Sequence, residues 1–502
     1  MCKCHLFLGQ NVLLMEPYRR ENSMIKKLIA LLLILLSLTA PACAETLRLC
    51  GVDAPKTFSD AHPEVAFIHA DPSTQTYATT AEFSAPMLTR EFNWDVFTMY
   101  TDKADARLLM EKGYLLDLSG SEVIRDAVAR MHPAIAEQCM YNGKIYAVPA
   151  YFRVEDNAVL MISPDGWAEA GYTEADIPHS YPAFLDLLED FLTRRENDPN
   201  LTVNVSNQID DYLYGPEKYA RWMVGLLLDN HIAQTLHAGN ELRFDDPALA
   251  SLLERTLAVC ERIYALEPAK SEGYAGEPAL FGSHMGLNLD WVALQQYHVD
   301  LRLREDQPTL ITGFMTLTAV SAATENPGLA TELVEGTLGE IWPYADVLLY
   351  TDAEPIVNPD YETGIRDLQN MLALIDRLLS DDHTPYTDYF DLNVSSETLT
   401  HYPAVVANFE TMDAWELLER KDYFERGLER ESPYRFPPEQ LAAYQTFAPG
   451  LYIPGPTVFD ASSDSSSNFF RLTRQLTDGL ISAHEFCQQA DRIAWMMAME
   501  NQ

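Results

Sequence analysis

Between residues 46 and 138 short β-rich runs take turns with helical stretches, and that alternation narrows the folds open to the chain more than any other feature. Thr46–Cys50, Val65–His69 and Asp95–Tyr100 read as strands, Ala104–Glu111 as a short helix stopped by Gly113, and residues 121–138 again have a helical period. Strands separated by helices predict an α/β layer built on a parallel sheet. From residue 180 to about 270 the helical pattern dominates. Tyr181–Arg195 is amphipathic, Gly215-Pro216 starts a helix through Trp222 to Leu228, and Asp246-Pro247 starts another through Ile263. Met285–Trp291 and Phe314–Ser321 are short strand-like pieces. Asn326-Pro327 opens a helix over Gly328–Leu338, and others are expected at about 363–380 and 410–429. Pro449–Ser467, rich in Pro, Gly and Ser, reads as a surface loop. Gly479 ends one late helix, and Ser482 with Glu485 forms a capping box for the last.

The 502 residues suffice for two or three cores, and 47% of them are apolar, so the bulk of the chain folds. A formal charge of −40 with no basic stripe against it excludes nucleic acid and disfavours anionic membrane surfaces. Met24-Ile25-Lys26-Lys27, the apolar run Leu28–Leu38 and the small residues Ala42-Cys43-Ala44 follow the order of a secretory signal. The run is too short to span a bilayer. Met24 is therefore the expected start, with residues 1–23 an upstream extension and 24–44 the signal peptide. Cleavage after Ala44 is one outcome, and lipidation of Cys43 in Ala40-Pro41-Ala42-Cys43 is the other. Four cysteines remain beyond the leader, Cys50, Cys139, Cys260 and Cys487, spaced too thinly for a disulfide scaffold. The expected location is outside the cytoplasmic membrane.

The sequence has no H-E-x-x-H, G-x-S-x-G, Walker A, G-x-G-x-x-G or EF-hand loop. Ser283 and His284 are adjacent, which gives a nucleophile and base no third group to orient them. His231 and His237, six apart on a helix, face different ways and share no metal. No metal or cofactor is expected. Carboxylate pairs suited to glycoside hydrolysis are too common in so acidic a chain to single out.

Three elements then come in one order: Asp95-Val96-Phe97; Gly113-Tyr114-Leu115-Leu116-Asp117-Leu118-Ser119; and Tyr141-Asn142-Gly143-Lys144-Ile145-Tyr146-Ala147-Val148-Pro149. The succession resembles the extracellular solute-binding proteins of ABC importers, the family 1, sugar-type group. Asn326-Pro327 with Ala330, Leu333 and Val334, and the tail Leu476–Phe486, are similar to further elements of that family. The likeness is strong over 46–150 and weak over 340–465. It implies a two-lobed, helix-rich, periplasmic-binding-protein-like (type II) α/β fold with a hinge and an interlobe cleft. Residues 45–149 and about 300–350 would form one lobe, 150–299 the other, with 351–502 a helical region packing on both. Asn142-Gly143 signals a type I′ hairpin, followed by a strand that Pro149 ends, with Ala150 and Tyr151 at the hinge.

By position, the residues expected to line the cleft are Asp95 and Tyr100, Tyr151 and Phe152, Trp222, and Asp290 with Trp291. Aromatic rings suit sugars, whose C–H faces lie on them and whose hydroxyls need paired donors and acceptors. The function implied is that of a monomeric binding protein, not an enzyme, that delivers a small solute, foremost a carbohydrate, to an ABC permease. An envelope glycoside hydrolase and a sensor without a transporter are the rivals, and the acidity leaves room for cationic ligands such as polyamines.

Overall fold

In β1 (Thr46–Cys50) the side chains of Leu47 and Leu49 turn inward and Arg48 outward. β2 (Ala66–His69) and β3 (Val96–Tyr100) lie parallel to it, one on each side. The computed structural model describes residues 45–70, 79–155, 160–206, 217–266, 278–282, 291–339, 347–393, 396–456, 459 and 468–500. The leader with Cys43, the Ser283-His284 pair, Asp290 and Trp342 lie outside them.

The helical stretch predicted over 121–138 is two helices, Glu122–Arg130 and Pro133–Cys139. Pro133 has no N–H to extend the first ladder, and it takes the first turn of the second helix instead. A hairpin of β4 (Met140–Tyr141) and β5 (Lys144–Ile145) follows, turned by Asn142 at φ 49° and Gly143 at φ 75°, as a type I′ turn requires. The next strand does not stop at Pro149 as the sequence suggested. It continues as β6 (Ala147–Val154) and is paired with β11 (Ile311–Val320). The proline is accommodated by a register shift: Leu317 faces Pro149 but Thr316 faces Tyr151, which leaves Ala150 as an extra residue.

The second lobe carries a sheet in the order β10 (His298–Val299), β7 (Leu160–Ile162), β9 (Ala279–Gly282), β8 (Asn204–Ser206). Against it pack the helices Tyr181–Asn197, Glu217–His237 and Pro247–Leu266, with Phe184, Leu188, Phe191, Met223 and Cys260 in one core. The last two helices, Asn468–Thr477 and Ala483–Glu500, place Phe469, Leu472, Leu476 and Phe486 in that same core. The predicted capping box is present: Ser482 N donates to the Glu485 carboxylate at 2.9 Å and Ser482 Oγ accepts from Glu485 N at 3.2 Å. Beyond Tyr350 the short ladder of β12 (Ile356–Val357) and β13 (Tyr434–Phe436) forms a neck. From it hang the helices Tyr361–Leu379, Ser396–Phe409 and Ala414–Arg430, with a small third core around Leu374, Ile375, Tyr402 and Phe409. All four described cysteines are buried and free.

The chain leaves the first sheet for the second lobe after Val154, returns before Ile311 and leaves again after Ile453, while Met161, Trp291 and Leu294 of the intervening stretch also pack into the first core. The three passages lie side by side. Gly313 is opposite Val154, Glu155 N donates to Thr312 O at 3.0 Å, and Ile311 and Thr312 pair in parallel with β14 (Leu451–Tyr452). Gly450 permits this approach: a Cβ there would stand 2.6 Å from the backbone oxygen of Thr309. The helix Pro438–Phe447, just before β14, touches both sides. Its Tyr444 hydroxyl donates to Leu348 O at 2.7 Å and its ring meets His132 edge-on at 5.6 Å, while Phe447 meets His298 of β10 at 5.9 Å.

Both ring nitrogens of His298 are buried and neither is hydrogen-bonded. Burial pulls its pKa down to about 4, with His179 and Arg302 adding to the effect and Asp300 opposing it. An unfolded histidine protonates near 6.5, so between about pH 6.5 and 4 the unfolded chain binds the extra proton. Stability is then present above that window and lost as the pH falls through it, by on the order of 3 kcal/mol. Urea melts of wild type and His298→Leu across this range should show a shallower acid slope in the variant; equal slopes would mean that the ring is protonated in the fold.

Candidate functional site

β3, β11 and β6 meet at the end of the first sheet that faces the passages. Directly opposed residues on neighbouring strands point to one side. The ladder pairs Tyr100 with Thr316 and Thr98 with Thr318 on one flank, and Tyr151 with Thr316 and Arg153 with Phe314 on the other. One face of the sheet therefore displays Thr98, Tyr100, Phe314, Thr316, Tyr151 and Arg153. The opposite face turns Met99, Phe152, Met315 and Leu317 into the core, all at most 1% exposed.

The displayed rings touch. Tyr100 and Phe314 are stacked, centroids 5.9 Å apart and planes 24° from parallel, and Tyr151 meets Phe314 at 6.3 Å and 61°. Tyr100 is 41% exposed, and Phe314, Tyr151 and Arg153 are half-buried. The turn after β3 fixes Tyr100: Thr101 Oγ1 donates to Met315 O at 3.0 Å and accepts from Met315 N at 3.2 Å. Two cations edge the rings, Lys103 Nζ at 5.6 Å from the Tyr100 centroid and Arg153 Cζ at 5.2 Å from that of Phe314. A half-exposed stack of three rings with hydroxyls and a guanidinium beside it suits a flat ligand with an apolar face and polar edges.

The residues expected from sequence separate into groups. Tyr100 and Tyr151 come together on this platform. Phe152 points through the sheet into the core, one residue out of phase. Asp95 sits at the other end of β3, about 16 Å along the strand from Tyr100 by strand rise. Its buried carboxylate accepts from Arg48 N at 2.8 Å and from Thr324 Oγ1 at 2.6 Å, which ties β1 to the turn after β11. Trp222 is half-buried against the second core. Trp291 opens the helix Trp291–Gln296 rather than ending a strand; at 1% exposure it is wedged against Tyr444 at 4.7 Å and Phe447 at 5.9 Å. It is a packed core ring with no free face. Asp290 lies outside the described residues. Phe314, the centre of the platform, was read only as part of a strand, although Phe314, Thr316 and Thr318 alternate with Met315, Leu317 and Ala319 as a two-faced strand should.

Two hollows of about 500 and 520 Å³ open in the second lobe. One is lined by Arg194 and Asn197, the other by His231, Gln234 and Gln307. Neither includes a platform residue. Two polar side chains of the second are engaged already: Gln234 Nε2 donates to Pro308 O at 2.8 Å and His231 Nε2 lies 2.7 Å from Arg243 O. Among the described residues no group of histidine, cysteine and carboxylate side chains could hold a metal ion.

No protein-family model matches the chain, and no curated protein matches it. Several solved structures are similar in fold. An ABC substrate-binding protein from Listeria monocytogenes in complex with cycloalternan matches 90% of this chain and 99% of its own, at 12% identity and a TM-score of 0.42. A maltose-bound protein of T. maritima matches 90% and 100%, at 11% identity and a TM-score of 0.46. A cyclic α-maltosyl-1,6-maltose binding protein from Arthrobacter globiformis matches 91% and 99%, at 14% identity and a TM-score of 0.44.

Trp291→Ala should lower stability by about 3–5 kcal/mol, the cost of emptying a packed Trp site, and leave ligand affinity of the folded fraction unchanged. Denaturant melts with and without ligand measure both. A variant of wild-type stability that no longer binds would return Trp291 to the site.

Proposed function

We propose that the chain is an extracytoplasmic solute-binding protein that captures a carbohydrate on the Tyr100–Phe314–Tyr151 platform and passes it to an ABC permease, without catalysing a reaction. The single observation that supports this reading most is where the platform lies. Two of its three half-exposed rings, Phe314 and Tyr151, stand on the strands β11 and β6 that carry the chain between the lobes, and Tyr100 stands on β3 beside them. A solute resting there lies where the lobes are joined, and contact with both lobes gives it a higher affinity for the closed arrangement. Closure then presents the permease with a shape that the empty protein rarely adopts.

Sugars fit such a surface because pyranose C–H faces pack on rings while their hydroxyls find donors and acceptors at the edges. The hydroxyls of Tyr100 and Tyr151 supply those edges here. The chain order from Asp95 to Pro149, with its likeness to sugar-type binding proteins, supports the same reading. Both lobes come from one chain, so a monomer suffices. The secretory leader over residues 24–44, with Cys43 as a lipid anchor or Ala44 as the cleavage site, would place the protein outside the membrane; among the described residues no helix is long and apolar enough to cross one.

Thermal-shift screening against saccharides, amino acids, peptides and polyamines should give a dose-dependent rise for saccharides, since a ligand that binds only the native state raises Tm. Phe314→Ala should weaken that binding about tenfold or more, the loss of one ring contact of roughly 1.4 kcal/mol, while the ligand-free Tm moves little because the ring is only half-buried. Turnover of the saccharide would replace the transport reading with a hydrolase. A shift with polyamines alone would replace the sugar with a cation.

A further inference from the structure

Resting on that carbohydrate reading, we infer that the ligand is an acidic saccharide, a sugar or oligosaccharide bearing a uronate carboxylate, which Arg153 and Lys103 recognise beside the rings. The chain has 75 acidic residues against 35 basic ones, and several of its cations are held in short ion pairs. Arg130 is 2.7 Å from Asp352, Arg243 2.8 Å from Asp491, Arg255 2.6 Å from Glu189 and Lys421 2.6 Å from Asp376. The platform departs from this. Arg153 reaches Glu155 only at 3.8 Å, and its Nε is buried with no hydrogen-bond partner. Lys103 has no ion pair among the described residues and lies instead over the ring of Tyr100.

The two side chains arrive from different strands. Arg153 is directly across the ladder from Phe314, and Lys103 sits in the turn that Thr101 pins to β11. Lys103 lies over Tyr100 and Arg153 over Phe314, so a ligand resting against this aromatic stack would meet a cation on either side of it. A guanidinium presents planar, forked donors that match a planar carboxylate, and its stacking on an aromatic face fixes the plane of the fork in advance. A neutral hexose offers only uncharged hydroxyl acceptors to that fork. Glu155 and Asp102 adjoin the two cations in sequence, so the surface is not simply positive. The contribution expected is a local reading of one carboxylate rather than a long-range field.

The test is calorimetric titration of the purified protein with a panel of uronides of glucose, galactose and mannose type, their neutral counterparts, and sulfated monosaccharides. Uronides should bind about tenfold or more tightly than the matched neutral sugars, as a charge-assisted hydrogen bond implies. The preference should weaken with salt and should disappear in Arg153→Gln and in Lys103→Gln. Equal or tighter binding of neutral sugars would overturn the inference and leave the carbohydrate reading standing. A sulfated sugar preferred over every uronide would overturn the carboxylate. Failure of all saccharides, with binding of an amino acid or polyamine, would overturn both.

Discussion

A chain that passes between its first sheet and the second lobe three times does so here on extended segments, and every N–H and C=O in them requires a partner. Here those segments satisfy one another. Val154 lies opposite Gly313, Glu155 N bonds to Thr312 O, and Ile311 and Thr312 are paired with Leu451 and Tyr452. The mutual bonding ties the three passages into one ribbon. The helix Pro438–Phe447 reinforces this, because Tyr444 is bonded to the first lobe while Phe447 rests on His298 of the second. Whatever binds on the strands of the ribbon is therefore placed at the axis of any closing motion.

The strong acidity is a property of the solvated surface more than of the site. The ion pairs mostly join exposed side chains, each worth about 0–1 kcal/mol. The more constrained ones fasten distant parts of the chain. Asp491, largely shielded by the last helix, accepts from Arg243 Nε at 2.8 Å and from Phe244 N at 3.0 Å. Those contacts hold its carboxyl below the ordinary range and bind the C-terminal helix to the loop before Pro247. The third, helical unit on its β12–β13 neck is bound likewise through Arg435 and Asp360 at 2.5 Å. Cations lie over aromatic rings at several places in the chain, and what sets Lys103 and Arg153 apart is that their rings form the platform beside the ribbon.

Much of the architecture was legible because it depends on local chemistry. Asn142-Gly143 fixed a turn, Pro133, Pro247 and Pro327 stand in the first turns of helices, and Ser482 with Glu485 capped the last helix, all through contacts within a few residues. Asp95 looked like a ligand residue because a carboxylate at a strand edge is common in clefts; its role as a clamp depends on Arg48 and Thr324, the second of them 229 positions away. Trp291 was similarly ambiguous, since only Tyr444 and Phe447, distant in sequence, decide that its ring is enclosed. Phe314 could have been found by asking which residues share a face with the threonines of its own strand.

The hardest feature to read is the one on which the platform depends. Had the ladder between β6 and β11 run without interruption from Leu317 opposite Pro149, Ala150 would have faced Thr316 and Tyr151 would have faced Met315. Tyr151 and Arg153 would then have entered the core, and Phe152 would have stood beside Phe314. The extra residue at Ala150 reverses this parity, so that Thr316 meets Tyr151 and Phe314 meets Arg153. Proline, which lacks the N–H a regular ladder uses, stands directly before the shift, so the residue that seemed to end the strand instead marks where the strand changes face. The bulge thereby exchanges a buried phenylalanine for an exposed tyrosine and a guanidinium, and it does so where the chain begins to leave the first lobe. One inserted residue thus sets both the geometry of the platform and the charge beside it.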